Sequence, residues 1–350
     1  MVIAARALGR ALLLAAALLL PVGTPAAERL PALGVDLDGT SVSGVSSGAY
    51  MAVQFHVAHS RTVRGVGVIA GGPYFCAEGS VTRALFNCMT PGGFTPLPAP
   101  AVLKAFTSNF AAAGQIDPIA NLGAAKVWLF TGTRDGVVKS EVVEAARRYY
   151  LQFVPPGNIV FEASVPAGHA MITYDAGKAC DLTQAPFIND CDFDAAGKLL
   201  EHIYGALAPA AAAPEGRIVA FDQREFAGGS AYALSLADTG FVYVPKACEM
   251  GGCRVHVAFH GCKQSAEAIG ERFVREAGYS RWADTNRLVI LFPQTIARNG
   301  WGTWWGGNFI FNPNGCWDWW GYTGPGYATK AGPQIRAVRR MIDRLSEPRR

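Results

Sequence analysis

The run Gly44-Val45-Ser46-Ser47-Gly48 joins two apolar stretches of different period, and this junction restricts the fold more than any other part of the chain. Before it, Thr40, Val42 and small residues suit a short buried strand. After it, Met51, Val53, Phe55 and Val57 with Ala52 and Ala58 suit a helix packed hard against a sheet. A strand that becomes a helix within five residues must reverse sharply, and the positions two away from the centre then have to be glycine or nearly so. Such an elbow lifts its central side chain clear of the sheet edge, which singles out Ser46. A plain Gly/Ser-rich surface turn leaves the immediate start of an apolar helix unexplained.

The rest of the chain repeats strand and helix in the order expected of an α/β fold. Val63 to Ala70 reads as a central strand, and residues 73 to 100, with Cys76, Cys88 and several Pro and Gly, as a surface excursion held by a bridge. A helix is predicted over Ala101 to Ala113, a strand from Lys126 running into a polar turn at Asp135, a helix over Ser140 to Val154 and a strand over Asn158 to Val165. The pattern weakens between 175 and 216, apart from a short helix near Ala195 to Leu207. From Arg217 it turns into β pairs, Ile218 to Asp222, Ala231 to Ala237 and Gly240 to Pro245, which suit an antiparallel edge. Strands at Arg254 to Phe259 and Leu288 to Phe292, a helix from Ala266 to Asn286 broken near Gly278, and an amphipathic tail from Lys330 to Ser346 complete the pattern.

With 50% hydrophobic and 17% charged residues, the chain can bury a large core. A net charge of +4 without a basic cluster sets nucleic acid and anionic membranes aside. Arg6 and Arg10 precede an apolar run from Ala11 to Pro21 and the small residues Thr24 to Ala27, the pattern of a secretory signal peptide cleaved after Ala26 or Ala27. The alternative is an uncleaved anchor helix. The expected organisation is a signal peptide over 1–27 and a single catalytic domain over 28–350, exported to the periplasm or beyond, monomeric and without a membrane anchor. Eight cysteines in an exported chain lacking CxxC or HExxH spacing point to disulfides rather than metal, and no cofactor is expected. They allow about 105 pairings. Short loops favour Cys76 with Cys88, Cys180 with Cys191 and Cys248 with Cys253, which leaves Cys262 for Cys316.

A serine hydroxyl is a weak nucleophile at neutral pH and needs a histidine to take its proton and a carboxylate to orient the ring. Of six histidines, His56 and His59 lie on the elbow helix, which carries them away from the serine, and His202 sits in a helix without a motif. His256 faces along a strand. His169 follows a strand beside Gly168, and Asp135 sits in a comparable strand-end turn, giving the order Ser, Asp, His of α/β-hydrolases. Acyl transfer also needs donors for an oxyanion, and His260-Gly261-Cys262 is the HG-type candidate, with the amides of Ser47 and Cys262 forming the hole. That motif lies after the triad in the chain. The expectation is therefore a mostly parallel sheet flanked by helices, α/β-hydrolase-like and circularly permuted, with the nucleophile strand near the N-terminus and the oxyanion strand near the C-terminus.

Gly44-Val-Ser-Ser-Gly-Ala-Tyr-Met51, Phe259-His-Gly-Cys-Lys-Gln264 and Asn312-Pro-Asn-Gly-Cys-Trp-Asp-Trp-Trp320 together resemble the secreted poly(3-hydroxybutyrate) depolymerases, and the serine-first order resembles their permuted single-domain type. The resemblance covers nearly the whole chain after residue 27. It implies a serine esterase that cuts short-side-chain poly(3-hydroxyalkanoate) through an acyl-enzyme, with Ser46, Asp135 and His169 as triad and the Ser47 and Cys262 amides as oxyanion hole. Multidomain members carry a separate polymer-binding domain after the catalytic part, which is not expected here. Six of the eight tryptophans fall in one Gly/Asn-rich segment from Trp301 to Trp320, and flat aromatic faces there suit an apolar polyester chain. Trp304, Trp305 and Trp317 are the nominated substrate contacts. Two alternatives stand beside this reading, a feruloyl or acetyl esterase acting on plant polysaccharide and a non-catalytic polymer-binding protein.

Overall fold

The computed structural model describes residues 27–303 and 306–349, with no side-chain description for 302–308. The residues before Ala27, where a signal peptide is expected, and both Trp304 and Trp305 lie outside the described residues.

Strands β1 (Asp36–Val45), β2 (Val63–Ile69), β3 (Lys126–Phe130) and β4 (Ile159–Glu162) alternate with helices α1 (Ser47–Ala58), α2 (Val81–Phe86), α3 (Pro100–Ala112) and α4 (Ser140–Tyr150). A small sheet of β5 (Met171–Thr173), β6 (Lys178–Ala179) and β7 (Ile188–Asp190) precedes helix α5 (Ala195–Tyr204). Strand β8 (Arg217–Asp222), helix α6 (Arg224–Ala227), and strands β9 (Thr239–Val244) and β10 (Arg254–Phe259) follow. Next come helices α7 (Ala266–Ile269), α8 (Arg272–Glu276) and α9 (Tyr279–Asn286) and strand β11 (Leu288–Phe292). A hairpin of β12 (Arg298–Thr303) and β13 (Gly306–Asn312) and the closing helix α10 (Pro333–Ser346) end the chain.

The main sheet has eight strands in the order β4-β3-β2-β1-β10-β11-β9-β8. Its pairs are parallel except where β9 lies antiparallel to both β11 and β8. A parallel sheet has helices on both faces, so successive side chains enter two different cores. Val42, Val66, Val68, Val127, Leu129, Val257 and Leu291 enter one core with α1, α4 and α10. Val45, Ile69, Trp128, Phe130, Ala258 and Ile290 enter the other with α5 and α9. Helix α1 is buried on every side, which explains why its sequence is apolar all round rather than amphipathic. Residues 33–35 meet the end of α10: the amides of Leu33 and Val35 donate to Leu345 O at 3.0 and 3.2 Å.

Two expectations about elements need correction. Ala231 to Ala237 is not a strand; it holds a 3₁₀ turn over Tyr232–Leu234, because Ser235 takes a left-handed φ of 59° that no strand accommodates. The helical stretch from Ala266 is interrupted at Gly270 as well as at Gly278, both at positive φ. All four disulfides pair as expected, Cys76–Cys88, Cys180–Cys191 and Cys248–Cys253 closing short loops and Cys262–Cys316 joining what remains. Among the described residues no helix is long and apolar enough to cross a membrane.

Candidate active site

Ser46 stands between β1 and α1 with φ 56° and ψ −123°, a backbone conformation that side-chain-bearing residues rarely adopt. The flanking glycines explain how the chain tolerates it. A Cβ on Gly44 would sit 2.2 Å from Gly48 O, and a Cβ on Gly48 would sit 2.4 Å from the carbonyl oxygens of both Phe259 and His260. The second contact is the important one. It brings the end of β10, and with it the loop His260-Gly261-Cys262, directly against the start of α1, so the two candidate oxyanion amides come from adjacent backbone.

Asp135 lies five residues past the end of β3 and His169 on the loop after β4, both buried. His169 Nδ1 is 2.8 Å from Asp135 Oδ2. The other carboxylate oxygen accepts the amides of Val137 and Val138 at 2.8 and 3.0 Å, which fixes the carboxylate plane. A carboxylate accepts only, so Nδ1 carries the proton and Nε2 presents a lone pair. Ser46 and His169 line one cavity of 240 Å³ together with Gly261, Cys262, Gln264 and Phe187. Among the described residues the Ser46 hydroxyl makes no hydrogen bond of 3.5 Å or less to that ring, the loose arrangement such pairs show before they engage a substrate.

Ser46 also borders a second lobe of 140 Å³ whose walls are mainly apolar: Tyr50, Val81, Leu85, Val138, Trp319 and Trp320. Tyr50 stacks on Trp319 with ring centroids 3.9 Å apart, and its hydroxyl donates to Cys88 O. Burial, reinforced by the charge of Asp135, pushes the Tyr50 phenol far up, so it stays a neutral donor. The serine therefore sits at the junction of a polar lobe that holds the histidine and an aromatic lobe that suits an apolar acyl or alcohol group. Among the described residues, no group of three or more His, Cys, Asp or Glu side chains is arranged to hold a metal ion.

The sequence-based nominees fare differently. Ser46, Ser47 and Cys262 meet at one lobe, and Ser46, His169 and Cys262 at the other, with Asp135 behind the ring. The amide of Ser47 opens α1 and so has no acceptor within the helix. Trp317 is a correction: it is fully buried, edge-on to Phe259 with centroids 5.0 Å apart, and its amide donates to Ser47 Oγ at 3.3 Å. It packs beneath the candidate oxyanion loop, with no exposed face to offer a substrate. Trp319 and Trp320, from the same segment, line the lobe beside Ser46 instead. Tyr50 was missed, although its place in the first turn of the helix that Ser46 opens was a signal that it sits beside the serine. Val81, Leu85 and Met89, from the excursion after β2, carried no such signal.

No family model matches the sequence. Against curated proteins, the chain is 46% identical over 327 residues to a poly(3-hydroxybutyrate) depolymerase of Delftia acidovorans, a match spanning 92% of this chain but 62% of that protein. It is 38% identical over 322 residues to a polyhydroxybutyrate depolymerase of Talaromyces funiculosus, covering 89% of this chain and 91% of its relative. Among solved structures, the PHB depolymerase from Penicillium funiculosum superposes with a TM-score of 0.81 at 34% identity, covering 91% of this chain and 98% of that one. A serine-to-alanine variant of a PHB depolymerase, complexed with an R3HB trimer, gives a TM-score of 0.82 over the same shares. Matched along most of its length in sequence and in fold, the chain belongs to the poly(3-hydroxybutyrate) depolymerases, serine ester hydrolases with an α/β-hydrolase-like sheet.

Proposed function

We propose that this protein is a secreted serine esterase that hydrolyses poly(3-hydroxybutyrate), or related short-chain polyhydroxyalkanoates and their oligomers, through an acyl-enzyme. The observation that carries the reading is the 2.8 Å contact between His169 Nδ1 and Asp135 in a cavity shared with a strained Ser46. In the first half-reaction, His169 Nε2 takes the Ser46 proton as Oγ attacks the ester carbonyl, and the amides of Ser47 and Cys262 receive the charge on the carbonyl oxygen. Collapse expels the alcohol end of the polymer, protonated by the imidazolium that Asp135 has stabilised. Water then repeats the sequence on the acyl-enzyme, releasing the hydroxyacid end and restoring the serine. The aromatic lobe supports an apolar aliphatic ester as substrate, and the R3HB trimer carried by a structural relative points the same way.

We read the strand order as a circular permutation, supported by the hydrogen bonds that join residues 33–35 to the end of α10. Residues 28–350 act in this reading as one catalytic unit and residues 1–27 as an export signal, for which four disulfides are the supporting observation. The unit works as a monomer. The test is a pair of neighbours. Ser46→Ala should abolish turnover of a short chromogenic ester and of amorphous polyhydroxybutyrate while leaving the melting temperature in place. Ser47→Ala should keep most activity, since its amide and not its hydroxyl is assigned to the oxyanion hole. A dead Ser47→Ala beside an active Ser46→Ala overturns the assignment, and turnover of feruloylated xylan in place of polyester overturns the substrate class.

A further inference from the structure

His260 is the one histidine near the site that the proposed reaction leaves without a task, and its ring is completely buried. Nδ1 lies 2.7 Å from Gly261 O, and Nε2 receives the backbone amide of Thr295 at 3.2 Å. An amide can only donate, so Nε2 must be bare and Nδ1 must carry the proton. The opposite tautomer would set the Nδ1 lone pair against a carbonyl oxygen at 2.7 Å, with nothing between them. Thr295 Oγ1 does not alter this, because its own hydrogen is committed to Gly315 O at 2.6 Å. Burial holds the ring's pKa down at about 4, so it is neutral wherever a histidine base can work.

The bond to Gly261 O matters because of what lies across the peptide. In a trans peptide the carbonyl and the following N–H are coplanar and point in opposite directions. Fixing Gly261 O therefore fixes the direction of the Cys262 N–H. The preceding peptide is held as well, since Gly261 N donates to Gln264 Oε1 at 2.7 Å and Gln264 Nε2 is anchored on Phe187 O at 2.7 Å. A Cβ on Gly261 would lie 3.3 Å from Ser46 Cβ, which shows how closely this peptide faces the nucleophile. We propose that His260 is a positioning residue: its Nδ1–H latches the Gly261–Cys262 peptide plane and so aims the Cys262 amide at the oxyanion that forms on Ser46 attack. The inference rests on the serine-esterase reading above.

The test uses two isosteres of the ring. In His260→Asn the side-chain NH₂ falls where Nδ1 was and can still donate to Gly261 O, whereas in His260→Gln it falls where Nε2 was and cannot. Loss of one oxyanion donor lowers kcat by about 10²- to 10³-fold, so a donor that remains but is misdirected should give roughly 10- to 100-fold in His260→Gln with KM little changed. His260→Asn should recover most of that loss. Affinity for a trifluoromethyl ketone, which forms a charged tetrahedral adduct, should fall in step with kcat, while affinity for an uncleaved ester analogue should not. Equal kcat in the two variants, or a wild-type kcat in His260→Gln, overturns the latch. A wild-type measurement covers the case in which neither variant folds: imidazole ¹⁵N shifts should show His260 protonated at Nδ1 alone, and protonation at Nε2 overturns it. Failure of the underlying reading is separate, because it shows as ester turnover by Ser46→Ala.

Discussion

The Cys262–Cys316 bridge gives a prediction in which stability and catalysis separate. Its cysteines are 54 residues apart, and the loop-entropy relation assigns such a crosslink about 4 kcal/mol at 25 °C. With an unfolding entropy of about 2.1 cal/mol/K per residue over 350 residues, that corresponds to a melting temperature lower by about 5 °C in the double variant Cys262→Ser with Cys316→Ser. The control is Cys248→Ser with Cys253→Ser, whose loop of 5 residues is worth about 2 kcal/mol, or about 3 °C, and which lies away from the serine. The stability losses are thus comparable. The catalytic losses should not be, because one bridge holds the proposed oxyanion donor and the other holds none. The remaining tie between the two loops, Lys263 N to Asn314 O at 2.7 Å, keeps the loop near but not fixed, so kcat should fall by about 10-fold or more in the first variant and stay at the wild-type value in the second. The assay is steady-state hydrolysis of a soluble ester at a temperature well below both transitions, beside thermal melts of all three proteins. If the first variant loses its expected stability and keeps its kcat, the bridge stabilises the fold without positioning Cys262.

Asp135→Asn should lower kcat by about 10³- to 10⁴-fold with little change in KM, since the amide favours the wrong tautomer of His169; wild-type turnover would move the acid elsewhere. Burial pushes His56 and His256 down to about 3 and His59 and His260 to about 4. These rings titrate near ~6.5 once unfolded, so between about pH 6.5 and 4 the unfolded chain binds more protons, and stability falls with pH by up to about 1.4 kcal/mol per pH unit for each ring. Asp318, its carboxyl raised by burial, acts in the opposite sense but is a single group. A melting temperature unchanged from pH 7.5 to 4.5 would show that the rings are not buried in neutral form. Trp320→Ala, which removes a half-buried wall of the aromatic lobe, should raise KM for oligomeric 3-hydroxybutyrate more than for an acetyl ester, and an equal effect on both would remove the lobe from substrate binding.

The mostly parallel sheet was legible because parallel strands buried on both faces leave continuous apolar runs, and because the elbow and the HG turn each need glycine at fixed places. Ser46, Asp135 and His169 could be nominated for a related reason: strand ends and the turns after them are short, so a polar residue there has few places to go. The aromatic segment was not legible in the same detail. Trp317 and Trp319 are two residues apart in similar surroundings, yet Phe259 and Ser47 draw one under the oxyanion loop while Tyr50 holds the other at the cavity wall. Those partners lie far off in sequence, and no local pattern records which tryptophan meets which. The same holds for Val81 and Leu85, whose place beside Ser46 is set by the path of the Cys76–Cys88 excursion over the sheet. The false strand at Ala231 to Ala237 failed on one left-handed serine, a backbone choice fixed by the hydrogen bond of Ser235 Oγ to Ile296 O at 2.7 Å.

The position of β1 has a consequence for how the chain comes to be folded. This strand leads directly into Ser46 and lies early in the chain, yet its neighbour on one side is β10, with Gly44 opposite Phe259. Until the residues of β10 arrive, β1 to β4 form a half-sheet whose inner edge is bare, a row of unpaired amides and carbonyls of the kind that recruits other chains. Pairing at such separation is slow because a very long loop must close first, and α10, which covers β1 from one face, is made later still. A chain with this topology gains nothing from beginning to fold while it is being made. Refolding from denaturant should accordingly show a yield that drops steeply with protein concentration.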